Sequence, residues 1–243
     1  MNKRVLFPLI AGLLLVNGCA STSTPVKAEY DAEMEFPFPE LSVFYDDPSA
    51  ELSEQCVIFS AQSALHYCAE NTVNTSHYWQ ALRQSKMFDE VTFADKEAEF
   101  KVAISTVNLK NETAGDITQA AISGASLLLI PMTYESEMRA EVSLYWRDVK
   151  LKQYQYQLPH ISKVSLFSDV EQPDKDFANR LVSHIIADFQ QDEVFSSSLI
   201  AEALGATDYA NDVVFPKRIS EFEFAGHFAF FDPFLGVMAT YLS

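Results

Sequence analysis

The chain has 243 residues, of which 48% are hydrophobic and 21% charged, with 17 basic and 34 acidic side chains. This apolar content is enough for one sizeable core, which excludes a fibrous or wholly disordered protein. The formal net charge of −17, with no run of basic residues, argues against nucleic-acid binding, because that function needs basic patches to displace counterions.

The first 18 residues have the pattern of a signal peptide. Basic residues at positions 3 and 4 precede an apolar segment over residues 5–16, which is too short to span a bilayer as a helix. The sequence VNGC at residues 16–19 then resembles the lipobox of bacterial lipoproteins. In that motif a branched apolar residue stands three positions before the cysteine, and a small residue directly precedes it.

The lipobox resemblance implies that Cys19 becomes the mature N-terminus and carries three acyl chains. Each buried CH₂ group contributes about 0.8 kcal/mol, so three chains give a stable membrane anchor. Ala20 follows in place of the aspartate that retains enteric-type lipoproteins in the inner membrane. We therefore expect a bacterial outer-membrane protein facing the periplasm. An uncleaved N-terminal anchor, or an ordinary secretory signal with a chance cysteine, remains the alternative.

A flexible tether is expected after the anchor, over residues 20–39, because this stretch is small, polar and interrupted by proline. Twenty residues of flexible coil would average about 25 Å from end to end. The chain then becomes apolar. LSVFY and CVIFS, separated by the turn-prone DDPS, are interpreted as two short buried strands.

Cys56 and Cys68 form an even pair once Cys19 is lipidated. In an oxidising compartment such a pair predicts a disulfide, which would contribute about 3 kcal/mol by restricting the unfolded chain. The competing hypothesis is a redox or catalytic thiol, with His66 as a neighbouring base.

The next segment predicts a helix followed by two strands. Asn74, Thr75 and Ser76 are candidate N-caps of a helix ending near Phe88, and DEVTF begins a strand. In EFKVAISTVNL the apolar residues change face halfway along. This change predicts a β-bulge near Ser105.

The second half of the domain combines a hairpin with its covering helix. MRAEVSLYWR and KLKQYQYQL alternate apolar and polar residues, which predicts two paired strands in a sheet with one solvated face. Residues 173–190 repeat apolar side chains every four positions, the pattern of a helix that covers the sheet, and a shorter helix is expected before Gly205. We expect an α+β fold, with a mostly antiparallel sheet of about four to six strands and two or three helices on one face.

An uncharged span of 18 residues, from 117 to 134, separates the two alternating regions. Its polar residues and Pro131 argue against a membrane-spanning helix. Two interpretations remain open: a short helix or extended segment in the core, or an apolar loop that enters the membrane or contacts a partner. The candidate contact residues are Leu127, Leu128, Leu129 and Ile130.

The C-terminal segment is rich in phenylalanine, with seven of the 19 Phe residues after position 214. It predicts a hairpin turning around residues 225–226, either buried in the core or contacting a membrane or protein. The candidate contact residues are Phe228, Phe230, Phe231 and Phe234. A further hypothesis joins both apolar segments into one surface.

The run ALRQSKMFDEV, then ADKEAEFKVAISTV, LLLIP and two alternating strands resembles a group of bacterial envelope lipoproteins. Their shared sheet-and-helix domain is like the N-terminal part of TolB and of CsgG-related proteins. The resemblance covers residues 77–190. It implies an α+β periplasmic domain and an accessory or assembly role, and it implies no catalytic residue.

The sequence contains none of the common motifs for metal or cofactor chemistry. The five histidines show no zinc-type spacing, and no P-loop, GxGxxG or GxSxG motif occurs. We therefore expect no metal and no cofactor. His184 and Asp188, four residues apart, predict an ion pair at a helix edge.

Together these patterns predict four regions: a signal peptide (1–18), a lipidated tether (19–39), an α+β domain (40–210) and a C-terminal segment packed on it (211–243). The expected function is non-enzymatic, namely an accessory or assembly component of the outer envelope that binds another envelope protein. The alternatives are a carrier of lipid or a small hydrophobic ligand and, less favoured, a hydrolase.

Overall fold

The protein is described here from a computed structural model. The described residues are 28–33, 36–125, 129, 131–208, 213–229 and 237–242. The predictions for seven residues lie outside these ranges: Cys19, Leu127, Leu128, Ile130, Phe230, Phe231 and Phe234.

The described chain has an α+β fold. Its helices are α1 (Ala50–Ala61), α2 (Thr75–Ser85), α3 (Ala114–Ala125), α4 (Gln172–Gln191) and α5 (Ser197–Ala203). The first six strands are β1 (Leu41–Tyr45), β2 (His66–Glu70), β3 (Val91–Phe93), β4 (Phe100–Asn111), β5 (Met132–Trp146) and β6 (Val149–Val164). The remaining strands are β7 (Leu204–Asp208), β8 (Val213–Pro216), β9 (Arg218–Ile219), β10 (Phe222–Ala229) and β11 (Val237–Leu242).

The main sheet has six strands in the order β3-β1-β4-β5-β6, and β2 also pairs with β4. β1 is parallel to both β3 and β4, whereas β2, β5 and β6 join by antiparallel pairing. The sheet is therefore mixed, and the expected mostly antiparallel arrangement is only partly matched. The parallel pairs arise because α1 and α2 lie between β1 and β3 and carry the chain back across the sheet.

One face of the sheet is covered by α2 and α4, which form the main core. The α4 side chains that repeat every four positions are fully buried there, as the sequence predicted, and they pack on the alternating apolar residues of β4 and β5. Asn74 caps α2 by accepting a hydrogen bond from the Ser76 N–H at 2.9 Å, which confirms the predicted start of this helix.

The opposite face is covered in part by α1, so the helices do not all lie on one face. CVIFS was predicted as a strand but lies within α1, because Ser49 caps the helix and a helical turn brings Leu52 and Cys56 onto the sheet. These two residues pack on Val107 and Leu109 of β4. Both faces of β4 are thus buried at different points along the strand.

This double coverage also removes the need for the β-bulge predicted near Ser105. The pairing of β4 with β5 runs without a shift from Phe100 to Leu109. The second face of β5 is not fully solvated either, since Glu141 and Ser143 are buried on it. The predictions of a bulge and of one solvated face are both wrong for this region.

Asn71 connects two strands that share one edge of β4. β1 pairs with β4 as far as Ile104, and β2 pairs with it from Val107 onward. Between them, the Asn71 N–H donates to the Thr106 carbonyl at 2.7 Å, and its side-chain oxygen accepts from the Thr106 N–H at 2.8 Å. Asn71, which has a left-handed φ of 49°, therefore satisfies both the N–H and the carbonyl of Thr106 in the gap between β1 and β2.

The other long strand, β6, forms an edge of the main sheet. Pro159 lies within it and has no N–H to offer to a further strand. Its carbonyl accepts a hydrogen bond from the Arg180 guanidinium at 2.8 Å. Both backbone groups of this residue are therefore closed to a neighbouring strand.

The C-terminal segment forms two small sheets, a β7–β8 pair and a three-stranded sheet in the order β11-β10-β9. β10 runs straight through residues 225–226 with a register shift against β11, so the hairpin predicted there is wrong and a bulge takes its place. The Phe215 ring stacks against Phe224 and His227 and links the two small sheets.

Part of the expected tether contacts the domain. Asp31 and Gln190 exchange hydrogen bonds of 2.9 and 2.7 Å, and the Phe38 ring packs on Phe88 and Phe195 at 5.4 and 4.8 Å between centroids. The chain therefore enters the domain at the C-terminal end of α4.

Candidate functional site

Helix α1 has apolar residues on both of its sides. Leu52 and Cys56 are buried against the sheet, while Val57 and Ile58 are 69% and 54% exposed. A helix on a protein surface normally shows an apolar stripe toward the core and polar residues toward solvent. The outward apolar residues of α1 therefore contribute nothing to its packing on the sheet.

Further exposed apolar side chains lie at the same end of the sheet, where β2 begins, β4 ends and β5 begins. Of the 18 large apolar side chains exposed in the described chain, ten belong to elements that meet at this end. We call them the apolar end: Val57, Ile58, Leu65, Tyr67, Ile117, Ile122, Leu129, Leu166, Phe167 and Val170. Scattered exposed apolar residues are ordinary, but this concentration at one end of a domain is characteristic of an interaction surface.

A pocket of about 470 Å³ opens at the apolar end, between α1 and strands β4, β5 and β6. Apolar and polar residues line it together: Phe59, Leu109, Asn111, Glu135, Ser136, Glu137, Arg139, Gln157, Leu158 and Pro159. Six of these ten residues are polar or charged, so the pocket offers hydrogen-bonding groups beside apolar side chains to a protruding side chain or short segment.

Hydrogen bonds hold the polar side chains of this region in place. Arg139 donates to Glu137 at 2.7 Å and to Gln55 of α1 at 2.6 Å. The Ser49 hydroxyl donates to the buried Glu141 carboxylate at 2.8 Å. These contacts fix α1 over the sheet, and they leave the apolar face of α1 pointing outward.

The apolar helix α3 occupies part of the span from 117 to 134. It begins at a cap in which Asp116 accepts from the Thr113 N–H and hydroxyl at 2.7 and 2.8 Å, and these hydrogen bonds lower the pKa of the Asp116 carboxyl. Among its described side chains only Ser123 is buried, and Leu129 beyond it is 63% exposed. The span therefore contains the expected short helix, but this helix lies on the surface and not in the core.

On the covered face, α4 is fastened to β6 by a ladder of polar contacts. Tyr154 and Tyr156 donate to Asp192 and Asp188 at 2.8 and 2.7 Å. Burial first, and then these hydrogen bonds, raise the pKa of both tyrosines. Asp188 therefore bonds Tyr156 in place of the predicted partner, His184.

The predicted disulfide is present and joins Cys56 of α1 to Cys68 of β2, with a Cα–Cα distance of 5.5 Å. Neither sulfur is available as a thiolate in this state, so the hypothesis of a catalytic thiol beside His66 loses its nucleophile. Instead, the His66 ring stacks on Phe59 at 4.7 Å.

The described apolar residues of the C-terminal segment lie away from the apolar end. Phe228 is 58% exposed, and it lies with Met238 and Leu242 on the outer face of the three-stranded sheet. The C-terminal segment approaches the start of β6, near Lys150. Helix α3, in contrast, leads into the start of β5, and the start of β5 pairs with the end of β6. The described parts of the two apolar regions therefore lie at opposite ends of the pairing between β5 and β6, a strand of 15 residues or about 50 Å. Most of the candidate contact residues lie outside the described ranges, so the hypothesis of one joined surface stays a prediction.

Several residues of the apolar end were missed by the sequence patterns. Val57 and Ile58 were assigned to a buried strand, and the exposed loop residues Leu166, Phe167 and Val170 between β6 and α4 carried no periodic signal. Periodicity does not assign the faces of residues 50–61 either, because the apolar side chains of this segment form no single stripe at the helical period.

No described helix is long and apolar enough to cross a membrane. Nor do the described residues contain a group of three His, Cys, Asp or Glu side chains that could hold a metal ion.

Comparison with protein-family models and with curated proteins gives no match for this chain. Among solved structures, a Xanthomonas campestris protein assigned to the family model DUF330 overlaps 70% of this chain and 95% of its own, with 11% identity and a TM-score of 0.33. A likeness at this level carries no conclusion about fold or function.

Proposed function

We propose that the protein is a lipid-anchored accessory component of the bacterial outer envelope, and that it binds another envelope protein through the apolar end. The observation that carries this proposal is the concentration of exposed apolar side chains around α1, α3 and the β6–α4 loop. The main core lies on the other face of the sheet, where α2 and α4 cover it. The exposed apolar side chains therefore have no role in closing that core.

The position of the N-terminal segment supports an orientation for this binding. Residues 30–31 already contact the domain near the end of α4, so about nine residues connect Cys19 to the first described residue. As a flexible coil this connection spans about 16 Å, and fully extended it reaches about 30 Å. With Cys19 acylated, the apolar end lies on the far side of the domain and faces the periplasm.

The anchor is tested by replacing its acyl acceptor. Cys19→Ser should abolish incorporation of labelled fatty acid and release the protein from membranes, because no acyl chain is then attached. Ala20→Asp is the matched variant: it keeps the cysteine and should shift the protein to the inner-membrane fraction if enteric-type sorting operates. Unchanged labelling and membrane retention in Cys19→Ser would refute the anchor.

The binding surface is tested by site-specific photocrosslinking in the native cell. A photoreactive residue at position 58, 122 or 167 should yield one common protein adduct, because these positions lie on three elements of the apolar end. The control position is Lys96, which is exposed in the loop between β3 and β4 at the other end of the sheet. Adducts absent at all three positions, or identical at position 96, would refute the partner surface.

A charge substitution gives a second measurement. Ile58→Glu and Ile122→Glu replace exposed side chains, so the fold should change by less than about 0.5 kcal/mol while the adduct is lost. Lys96→Glu is the matched control and should leave the adduct intact.

The alternative function, a carrier of hydrophobic ligands, required a cavity lined by phenylalanine. In the main core the Phe38, Phe88, Phe100, Phe189 and Phe195 rings contact one another at 4.8–6.2 Å between centroids. These rings pack on one another, and three of them, Phe38, Phe189 and Phe195, also line a surface pocket of about 420 Å³. A carrier of hydrophobic ligands therefore stays the alternative function.

A further inference from the structure

A second pocket, of about 450 Å³, lies at the opposite end of the domain and has an unusual charge. Three segments meet in it, namely the start of β6, the end of α5, and the link between β8 and β9. Four of its side chains are basic and one is acidic, Lys150, Lys152, Lys217, Arg218 and Glu202. The whole chain has twice as many acids as bases, so this basic pocket inverts the balance of the protein locally.

Backbone hydrogen bonds fix the positions from which these cations project. The Lys217 N–H donates to the Ala203 carbonyl at 2.7 Å, and the Lys217 carbonyl accepts from the Phe224 N–H at 2.8 Å. Lys217 is thereby held between α5 and β10. Lys150 and Lys152 project from the start of β6.

Two of the four cations have carboxylate partners, and two do not. Lys152 pairs with Asp192 at 3.1 Å, and Arg218 pairs with Glu223. Lys150 donates to the neutral Gln153 amide at 3.0 Å. Among the described residues, neither Lys150 nor Lys217 contacts a carboxylate. The pocket therefore retains positive charge that an anion can neutralise.

The basic pocket adjoins an apolar surface. Arg218 also lines a neighbouring pocket that includes Phe224 and Leu242 together with two acids, Glu221 and Glu223, of which Glu223 pairs with Arg218. Leu242 belongs to the outer face of the three-stranded sheet, on which Phe228 and Met238 are also exposed. Positive charge beside exposed apolar side chains suits a ligand with an anionic head and an apolar body.

We propose that the basic pocket binds a phosphate group, and that this phosphate belongs to the headgroup of an anionic membrane lipid. Lys150 and Lys217 donate to the phosphate oxygens, and the outer face of the three-stranded sheet contacts the acyl chains. The pocket lies at the end of the domain where the N-terminal segment enters. The site requires no partner at the apolar end, so it is tested independently of the proposed function.

The test uses the full chain in neutral detergent micelles and native mass spectrometry to count bound lipid. The probes are dioleoyl phosphatidylglycerol, dioleoyl phosphatidylcholine as the zwitterionic comparison, and inorganic phosphate as a soluble competitor. Lys150→Gln combined with Lys217→Gln should weaken phosphatidylglycerol binding about 30-fold, from two lost cations near a lipid headgroup. Lys96→Gln with Lys163→Gln is the charge-matched control and should bind as the wild type does.

A gain-of-binding variant guards against misfolding as an explanation. Glu202→Gln removes the one acid of the pocket and should strengthen phosphatidylglycerol binding severalfold, which a damaged fold would not do. The lipid headgroup is identified as the ligand by two results together. The pocket variant loses phosphatidylglycerol binding, and millimolar phosphate does not displace the lipid from the wild type. Binding of inorganic phosphate alone, lost in the same variant, supports the anion site and identifies free phosphate as its source.

Other outcomes overturn the proposal. Equal binding by the pocket variant and the charge-matched control would show that the basic pocket does not recognise the anion. Equal retention of phosphatidylglycerol and phosphatidylcholine, or no retention of any probe by the wild type, would have the same meaning.

Discussion

Removing the disulfide should loosen α1 from the sheet before it unfolds the domain. The Cys56–Cys68 bond closes a loop with a sequence separation of 12, and restricting a loop of that size in the unfolded chain is worth about 3 kcal/mol. Only Leu52 and Cys56 are buried residues of α1, so its other attachments to the sheet are few. A loss of this size is a large part of the 5–15 kcal/mol that stabilises a typical domain.

The measurement combines urea denaturation with hydrogen exchange. Cys56→Ala with Cys68→Ala should lower the free energy of unfolding by about 3 kcal/mol and speed amide exchange in Ala50–Ala61 roughly 100-fold. Amides of Gln172–Gln191 should keep their rank as the most protected, because α4 packs on the other face. Reduced wild-type protein is the control, since it breaks the bond while keeping both sulfur atoms in the core.

Two results would refute this reasoning. One is a loss below about 1 kcal/mol with α1 exchange unchanged, which would mean that packing alone holds the helix. The other is equal protection of the α1 and α4 amides in the variant, which would show that both helices open only together with the whole domain.

Three further predictions test the fold. Asn71→Ala should lower the free energy of unfolding by about 1–3 kcal/mol in urea denaturation, because the Thr106 N–H loses its partner. Asn71→Gly loses the same hydrogen bond but should be less destabilised, because glycine tolerates the left-handed backbone at this position. Hydrogen bonds from Tyr154 and then Lys152 lower the pKa of the Asp192 carboxyl, so their stabilisation is present above the unfolded pKa near 3.8 and is lost as pH falls through the folded value. Asp192→Asn should thus reduce stability by about 1 kcal/mol or less at pH 7, and this loss should shrink as the pH falls and the carboxylate becomes protonated. Phe189→Ala should lower the free energy of unfolding by about 3–5 kcal/mol, whereas Phe167→Ser, at a side chain 83% exposed, should stay within about 0.5 kcal/mol, and similar losses in both would contradict the assigned core.

The elements whose apolar side chains share one face were predictable from their periodicity. The apolar repeat of α4 and the alternation of β5 each identify the buried side directly, and the structure buries those residues. The disulfide was predictable from the even number of cysteines and from the compartment that the signal sequence led us to expect. In each case a short stretch of sequence contains the whole signal.

The elements buried on two sides, or on neither, were not predictable in this way. CVIFS has apolar residues in every direction, and only the position of the sheet decides that Cys56 faces inward and Ile58 outward. The change of face in β4 was explained by a bulge, because nothing local shows that α1 covers the far half of the strand. The basic pocket joins residues from positions 150 to 218, so no local pattern contains it.

The closed edge of β6 has a consequence for crowding. Molecules tethered to one leaflet, as proposed, diffuse in two dimensions and collide far more often than molecules free in solution. Pro159 and the Arg180 guanidinium interrupt the ladder that two such edges would otherwise form between copies. This interruption disfavours edge-to-edge pairing of the main sheets when molecules are crowded, as the proposed anchor would crowd them.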